Sequence, residues 1–251
     1  MSSPGIDRDH LCDKYNLPEA DTGKWIFETV EYKEWRESSQ SKLLWLCGGP
    51  GTGKTMLAKG VAAEFLKGLY DPPQGAKLAF HFVSPEFPTE EVSPDQAEPT
   101  QPSLAKVASD LLYCILRQDG SLFDGCKAEL TIQGARFFTN PCSLWKVLGN
   151  AIQGCQPYPV YILIDGIDGL KESLCKQLVR RIMGLMKTQK VKILLSCREV
   201  PHITNILSCG SSEYTTINLD TSDLVRKDVE TFIKRRVDSW GWDVNEKKRA
   251  K

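Results

Sequence analysis

Residues 48–55 read Gly48-Gly49-Pro50-Gly51-Thr52-Gly53-Lys54-Thr55, directly after the apolar run Leu43-Leu44-Trp45-Leu46-Cys47. The pattern G-x-x-x-x-G-K-[ST] between a strand and a helix is that of a phosphate-binding loop. It constrains the fold because a strand must end, the chain must curl and a helix must begin within a few residues. Glycines let the chain turn so that successive N–H groups point at one anion. The free N–H groups of the following helix add positive potential. Lys54 is expected to reach the β- and γ-phosphates, and the Thr55 hydroxyl to ligate Mg²⁺. A glycine-rich turn with no ligand needs no lysine and threonine in this register. The expected ligand is a nucleoside triphosphate, ATP or GTP; base preference depends on contacts outside the loop.

The rest of the chain supplies the strands and helices such a loop requires. At 251 residues, one large domain or one domain with appendages is expected. Short apolar runs at 77–83, 160–164 and 191–195 read as buried strands, and 214–219 as a shorter one. Between them lie helical stripes: Leu57, Val61 and Phe65; Leu104, Val107, Leu111 and Ile115; Leu144, Val147, Leu148 and Ile152; Leu174, Leu178, Ile182 and Met186. A last helix carries Val229, Phe232, Ile233 and Val237. Strands alternating with helices imply an α/β parallel sheet covered on both faces. The expected organisation is a flexible terminus at 1–20, an aromatic lead-in at 21–40, the main domain at 41–239 and a basic tail at 240–251. Five prolines and several acids mark residues 85–103 as a long mobile surface loop.

Charge and cysteine usage exclude several classes. Lysine plus arginine equals aspartate plus glutamate at 32 each, so the chain as a whole offers no case for nucleic acid or an anionic membrane. No run approaches membrane-spanning length. The nine cysteines are scattered without a C-x-x-C pair, and neither disulfides nor zinc is expected. With no apolar leader after Met1, a reducing, cytoplasmic setting is expected.

Ligands of parallel α/β sheets gather at the carboxyl ends of strands. The run 160–164 stops at Asp165-Gly166-Ile167-Asp168-Gly169. An acid ending a buried strand downstream of a phosphate loop is the Walker B arrangement, so Asp165 is expected to hold Mg²⁺ opposite Thr55. Asp168 could orient or deprotonate an attacking water, or could cap a turn. The run 191–195 stops at Ser196-Cys197-Arg198. Arg198 could sense a γ-phosphate, or could pair on the surface with Glu199 or another acid.

Together these stretches resemble the NACHT-type signal-transduction NTPases of the STAND class, and most closely the fungal group with a nephrocystin-like amino-terminal NTPase region. Thr22-Gly23-Lys24-Trp25-Ile26-Phe27 resembles that family's lead-in, Leu43–Thr55 its strand and P-loop, Ile162–Asp168 its Walker B, and Ile193–Arg198 its sensor strand. The resemblance runs from about residue 20 to about 238 and implies an ASCE-type P-loop sheet sandwiched by helices. It implies Mg²⁺-dependent binding of ATP or GTP and slow hydrolysis used as a switch. Carried onto this chain, residues 48–55 bind phosphates, Asp165 holds the metal, Asp168 assists hydrolysis, Arg198 senses the γ-phosphate and Trp25 covers the base. Self-association or protein partners are also implied by it.

Two departures shape the functional alternatives. The family often has Asp-Glu where this chain has Asp168-Gly169. The winged-helix lid of the family is expected to be lacking. Both favour an alternative in which the chain is a nucleotide-holding scaffold with little turnover rather than a weak NTPase switch. A small-molecule P-loop kinase ranks last, because Arg180, Arg181, Arg198, Arg235 and Arg236 form no clear lid.

Overall fold

Every apolar run anticipated as a strand is one, and all five pair in parallel. The computed structural model describes residues 22–67, 75–83, 103–209 and 214–239. The expectations for 1–20, for nearly all of 85–103 and for 240–251 lie outside the described residues. The strands are β1 (Lys42–Cys47), β2 (Lys77–Phe82), β3 (Val160–Asp165), β4 (Val191–Cys197) and β5 (Tyr214–Asn218). They form one sheet in the order β2-β3-β4-β1-β5. β4 is thus inserted between the strand that feeds the phosphate loop and the strand that ends in Asp165, which is the ASCE arrangement of the P-loop fold.

The helices are α1 (Val30–Glu37), α2 (Lys54–Lys67), α3 (Leu104–Gln118), α4 (Asp124–Gln133), α5 (Pro141–Gly154), α6 (Glu172–Thr188), α7 (Pro201–Cys209) and α8 (Asp223–Ser239). A 3₁₀ turn at Lys24–Glu28 precedes α1. The aromatic lead-in is therefore a 3₁₀ turn followed by a two-turn helix. α4 and α7 were not anticipated from apolar spacing; α4 buries only Cys126, so its stripe is nearly silent.

Period-two alternation decides which face each side chain serves. On β3, Tyr161, Leu163 and Asp165 share one face, and Val160, Ile162 and Ile164 the other. The Tyr161 ring packs against Trp35 of α1 and Phe65 of α2, with centroids 5.5 Å and 5.0 Å away. The phosphate-loop helix therefore covers the face to which Asp165 belongs. The opposite face is covered by α3, where His81 of β2 meets Asp110 at 2.9 Å. His81 is an ordinary paired core histidine. β3 and β4 are buried along their whole lengths, as strands covered on both faces must be. Among the described residues no helix is long and apolar enough to cross a membrane.

Two features depart from the simple pattern. The stripe of α8 is not core: Val229, Phe232 and Ile233 are 46%, 44% and 53% exposed. Conversely, Lys192 is 1% exposed within β4. Its ammonium donates to the carbonyls of Ser38 and Gln40, tying the α1–β1 turn to the amino end of the sheet. Burial, with help from Lys190 and Lys42, pulls its pKa from 10.5 to about 8.

That shift has a definite sign. Between about pH 8 and 10.5 the folded chain has released this proton and the unfolded chain has not, so stability gains as pH rises through that window. The stability difference between wild type and Lys192→Met should move in the wild type's favour across it, with a slope of at most about 1.4 kcal/mol per pH unit. Denaturant titrations of both proteins at several pH values check this; a flat difference would show a normally titrating lysine.

Candidate nucleotide site

The loop between β1 and α2 has the backbone its sequence demands. Gly51 and Gly53 take φ of 76° and 89°, the left-handed region that side chains resist. The α-helical bonding starts where Leu57 N–H donates to the Gly53 carbonyl at 2.9 Å. The Lys54 ammonium folds back over the first half of the loop and donates to the carbonyls of Gly48 and Gly49 at 2.7 Å and 2.5 Å. Thr52 Oγ1 donates to the Gly49 carbonyl at 2.9 Å. The lysine charge thus sits at the mouth of a turn followed directly by the positive end of a fourteen-residue helix.

Asp165 arrives at this helix from β3. Its strand neighbour in register is Ser196 of β4, which in turn aligns with Leu46 of β1. All three lie at the carboxyl edge of the sheet. Thr55 Oγ1 donates to Asp165 Oδ2 at 2.7 Å, joining the two motifs across 110 residues of chain. Asp165 is only 4% exposed, and burial pushes its carboxyl above the usual aspartate range; Ser196, Thr55 and Lys59 oppose that push. Lys59, one turn beyond Thr55, is 8% exposed, and burial lowers its pKa against the attraction of Asp165. Asp165 Oδ1 and Ser196 Oγ are both buried without a formed hydrogen bond. An orphaned carboxylate oxygen beside the P-loop threonine is what a hard divalent cation needs, so the residues present fit Mg²⁺. Among the described residues no group of three or more His, Cys, Asp or Glu could hold a metal by itself. A cation here would rely on one hydroxyl, one carboxylate, phosphate oxygens and water.

Both strands run further than their apolar stretches suggest. Asp165, Ser196 and Cys197 are the last residues of β3 and β4, not the first of a loop. Gly166 then turns the chain with φ of 77°. A Cβ there would also come within 3.3 Å of the Val83 carbonyl. The turn launches the short 3₁₀ segment Ile167–Gly169 that carries Asp168. Asp168 accepts from Arg198 Nε at 2.5 Å, with the two side chains 12% and 51% exposed. The two residues singled out for hydrolysis and γ-phosphate sensing are therefore partners of each other. Of the acids considered for Arg198, it is not Glu199 but Asp168 that it meets.

The other flank of the loop holds residues that the sequence did not single out. Leu219 N–H donates to the Cys47 carbonyl at 2.8 Å, carrying the β5–α8 connection past the loop. The next residue, Asp220, accepts from Gly49 N–H at 2.8 Å and 3.0 Å with its two oxygens. In α8, Asp228 Oδ2 accepts from both Gly23 N–H and Trp25 Nε1, each at 2.8 Å. Trp25, expected over the base, is thus anchored to α8, partly buried against the core. Sequence offers no signal that pairs residue 49 with 220 or 25 with 228. Lys59 and Ser196 were more accessible: one is a helical turn from Thr55, the other ends the sensor strand.

Residues 21–198 match the family described as Nephrocystin 3, N-terminal. The chain is 25% identical over 220 residues to the vegetative incompatibility protein HET-E-1 of Podospora anserina, a match that takes in 85% of this chain and 15% of that protein. In fold it is similar to a Walker-type ATPase of Pyrococcus abyssi, at 16% identity and a TM-score of 0.48 over 91% of this chain and 61% of that one. It is also similar to the ORC1 protein of Aeropyrum pernix, solved in complex with DNA, at 14% identity and a TM-score of 0.46 over 80% of this chain and 47% of that one. The chain spans less than two thirds of each of these relatives, and the structural likenesses are too distant to carry functional weight. The family match covers most of the chain and takes in all three strand-end motifs, with the sheet order and the loop geometry in agreement: the chain belongs to the Nephrocystin 3 N-terminal family and is a NACHT-like P-loop NTPase region.

Proposed function

We propose that this chain binds a nucleoside triphosphate, ATP or GTP, with Mg²⁺, and hydrolyses it slowly as the switch module of a NACHT-type signalling protein. The observation that carries this is the bond from Thr55 Oγ1 to Asp165 Oδ2, with Asp165 Oδ1 left buried and unpaired beside it. Thr55 and Asp165 would hold the cation, whose chemistry there is to neutralise phosphate charge. Residues 48–55 bind the phosphates, with Lys54 supplying the fixed positive charge.

Asp168 is the proposed water-orienting residue and Arg198 the proposed γ-phosphate sensor. Their mutual pairing supports a slow enzyme, because Arg198 Nε and Asp168 Oδ2 are already engaged on each other before substrate arrives. An Arg–Asp bond with the arginine half exposed is weak, so a γ-phosphate can compete for the guanidinium. The scaffold alternative, with binding but little turnover, is favoured by the same pairing and by Gly169 where a second acid would stand.

Lys54→Ala should weaken triphosphate binding by roughly a hundredfold, since a charge-assisted contact to the anion is removed; calorimetry with an affinity unchanged by the substitution would sink the P-loop assignment. Mg²⁺-dependent phosphate release should exceed that of both Lys54→Ala and Asp168→Asn, and release no higher than Lys54→Ala despite tight binding would establish the scaffold reading. Arg198→Ala should weaken ATP more than ADP, whereas equal weakening would leave Arg198 as a surface partner of Asp168. Asp165→Asn should abolish the Mg²⁺ enhancement of binding yet raise the stability of the nucleotide-free protein by about 1 kcal/mol, because it removes a buried, half-satisfied charge. The folded state holds the Asp165 proton to higher pH than the unfolded state, so this stability gain should shrink as pH falls below the carboxyl's raised pKa. A loss of stability at neutral pH would show that the carboxylate is structural.

A further inference from the structure

We infer that Asp228 is a positioning residue for the nucleoside: it fixes Gly23 and Trp25 as the wall against which the base and ribose rest. The inference rests on the proposed binding of a nucleoside triphosphate and deepens it.

Sheet order supplies the direction. The groups proposed to meet the terminal phosphate, Asp165, Asp168 and Arg198, lie at or just beyond the ends of β3 and β4, on one side of β1. The strand of Asp165 is two places away from β1, about 10 Å at the usual strand spacing. A triphosphate cradled by the loop after β1 with its γ end toward β3 must send its nucleoside to the opposite side. That side is occupied by β5 and the connection from it to α8.

Three elements converge there. The β5–α8 connection is pinned to the loop by Leu219 on Cys47 and Asp220 on Gly49. α8 starts at Asp223, and Asp228 lies about 7.5 Å further along its axis. The lead-in comes from the far end of the sequence and presses onto the first turns of α2: a Cβ on Gly23 would lie 2.9 Å from Leu57 Cδ2. Gly23 takes φ of 74°, so both the space and the backbone there call for glycine.

One carboxylate oxygen holds this junction together. Asp228 Oδ2 accepts from the Gly23 backbone and from the Trp25 indole, at sequence separations of 205 and 203 residues. Two N–H donors on one charged acceptor fix both the backbone turn and the plane of the ring. Trp25 is only partly buried, and stacking of a base on its uncovered part would tolerate any base. The wall therefore contributes affinity for a nucleoside over a bare polyphosphate and little preference between adenine and guanine. Lys54 and Thr55 still bind the phosphates when Asp228 is gone, because these two bonds of Asp228 go to the lead-in and not to the loop.

The test separates nucleoside from phosphate. Affinities for ATP, GTP and inorganic tripolyphosphate, each with Mg²⁺, are measured by calorimetry on the wild type, Asp228→Ala and Asp228→Asn. Asp228→Ala should weaken ATP and GTP alike by about tenfold and leave tripolyphosphate within about twofold. Asp228→Asn retains an acceptor oxygen and should recover most of the nucleotide affinity. Should the alanine variant fold poorly, Trp25→Phe, which removes the indole N–H, carries the same expectation. Equal losses for nucleotide and tripolyphosphate, an alanine variant that binds ATP as the wild type does, or an asparagine variant no better than alanine would overturn the role of Asp228. A wild type that binds neither ATP nor tripolyphosphate would instead overturn the P-loop assignment itself.

Discussion

A carboxylate buried at the end of an otherwise apolar strand is the constraint on which this structure turns. Placing Asp165 at 4% exposure costs several kcal/mol if it stays charged and unpaired. The fold offsets that cost from two sides, and from the neighbouring strand β4 it is Ser196 that favours the charge. Thr55 donates to one oxygen, Lys59 lies close enough to favour the charge, and the first turn of α2 contributes its dipole. All three belong to the helix that starts at the phosphate loop. The other oxygen makes no well-formed hydrogen bond. Bringing that helix over that strand requires the alternation of β3 to place Tyr161 and Asp165 on the same face. The aromatic packing of Tyr161 with Trp35 and Phe65 locks the alignment.

The two flanks of β1 then divide the labour. Toward β4 and β3 the sheet edge carries acids, a hydroxyl and an arginine, the groups that suit a cation and a terminal phosphate. Toward β5 the loop and the lead-in are braced by carboxylates acting as hydrogen-bond acceptors, Asp220 for a loop N–H and Asp228 for a backbone and an indole N–H of the lead-in. The same residue type thus serves two purposes, and the difference lies in its surroundings. Asp165 is buried with an oxygen to spare, whereas the bonded oxygens of Asp220 and Asp228 are spent on holding chain segments. The lead-in is thereby tied to α8 although it precedes β1 by a full helix.

The Asp168–Arg198 pair links the fold to the rate of chemistry. An ion pair between these two groups joins the end of β4 to the turn after β3, with Arg198 Nε and Asp168 Oδ2 engaged on each other. The same pair was open in sequence terms: Arg198 read equally as a sensor and as a surface partner, and the fold brings it to Asp168.

Local chemistry and fold class were legible in the chain alone. The loop at 48–55, the strand-end aspartate and the alternation of apolar runs with helical stripes are matters of spacing, since the P-loop, Walker B and sheet patterns are each written within a few consecutive residues. The limits of the apolar runs misplaced strand ends by one or two residues, because polar residues at a carboxyl edge can be strand and ligand-facing together. α4 was silent because it buries one side chain. Folding in three dimensions was needed to set β4 between β1 and β3, to bring Lys59 and Ser196 to Asp165, to join Asp168 with Arg198, and to brace the loop and the lead-in with Asp220 and Asp228. Most of those meetings join segments far apart in the chain. They are set by sheet order, and sheet order is fixed by long-range packing that no short stretch of sequence encodes.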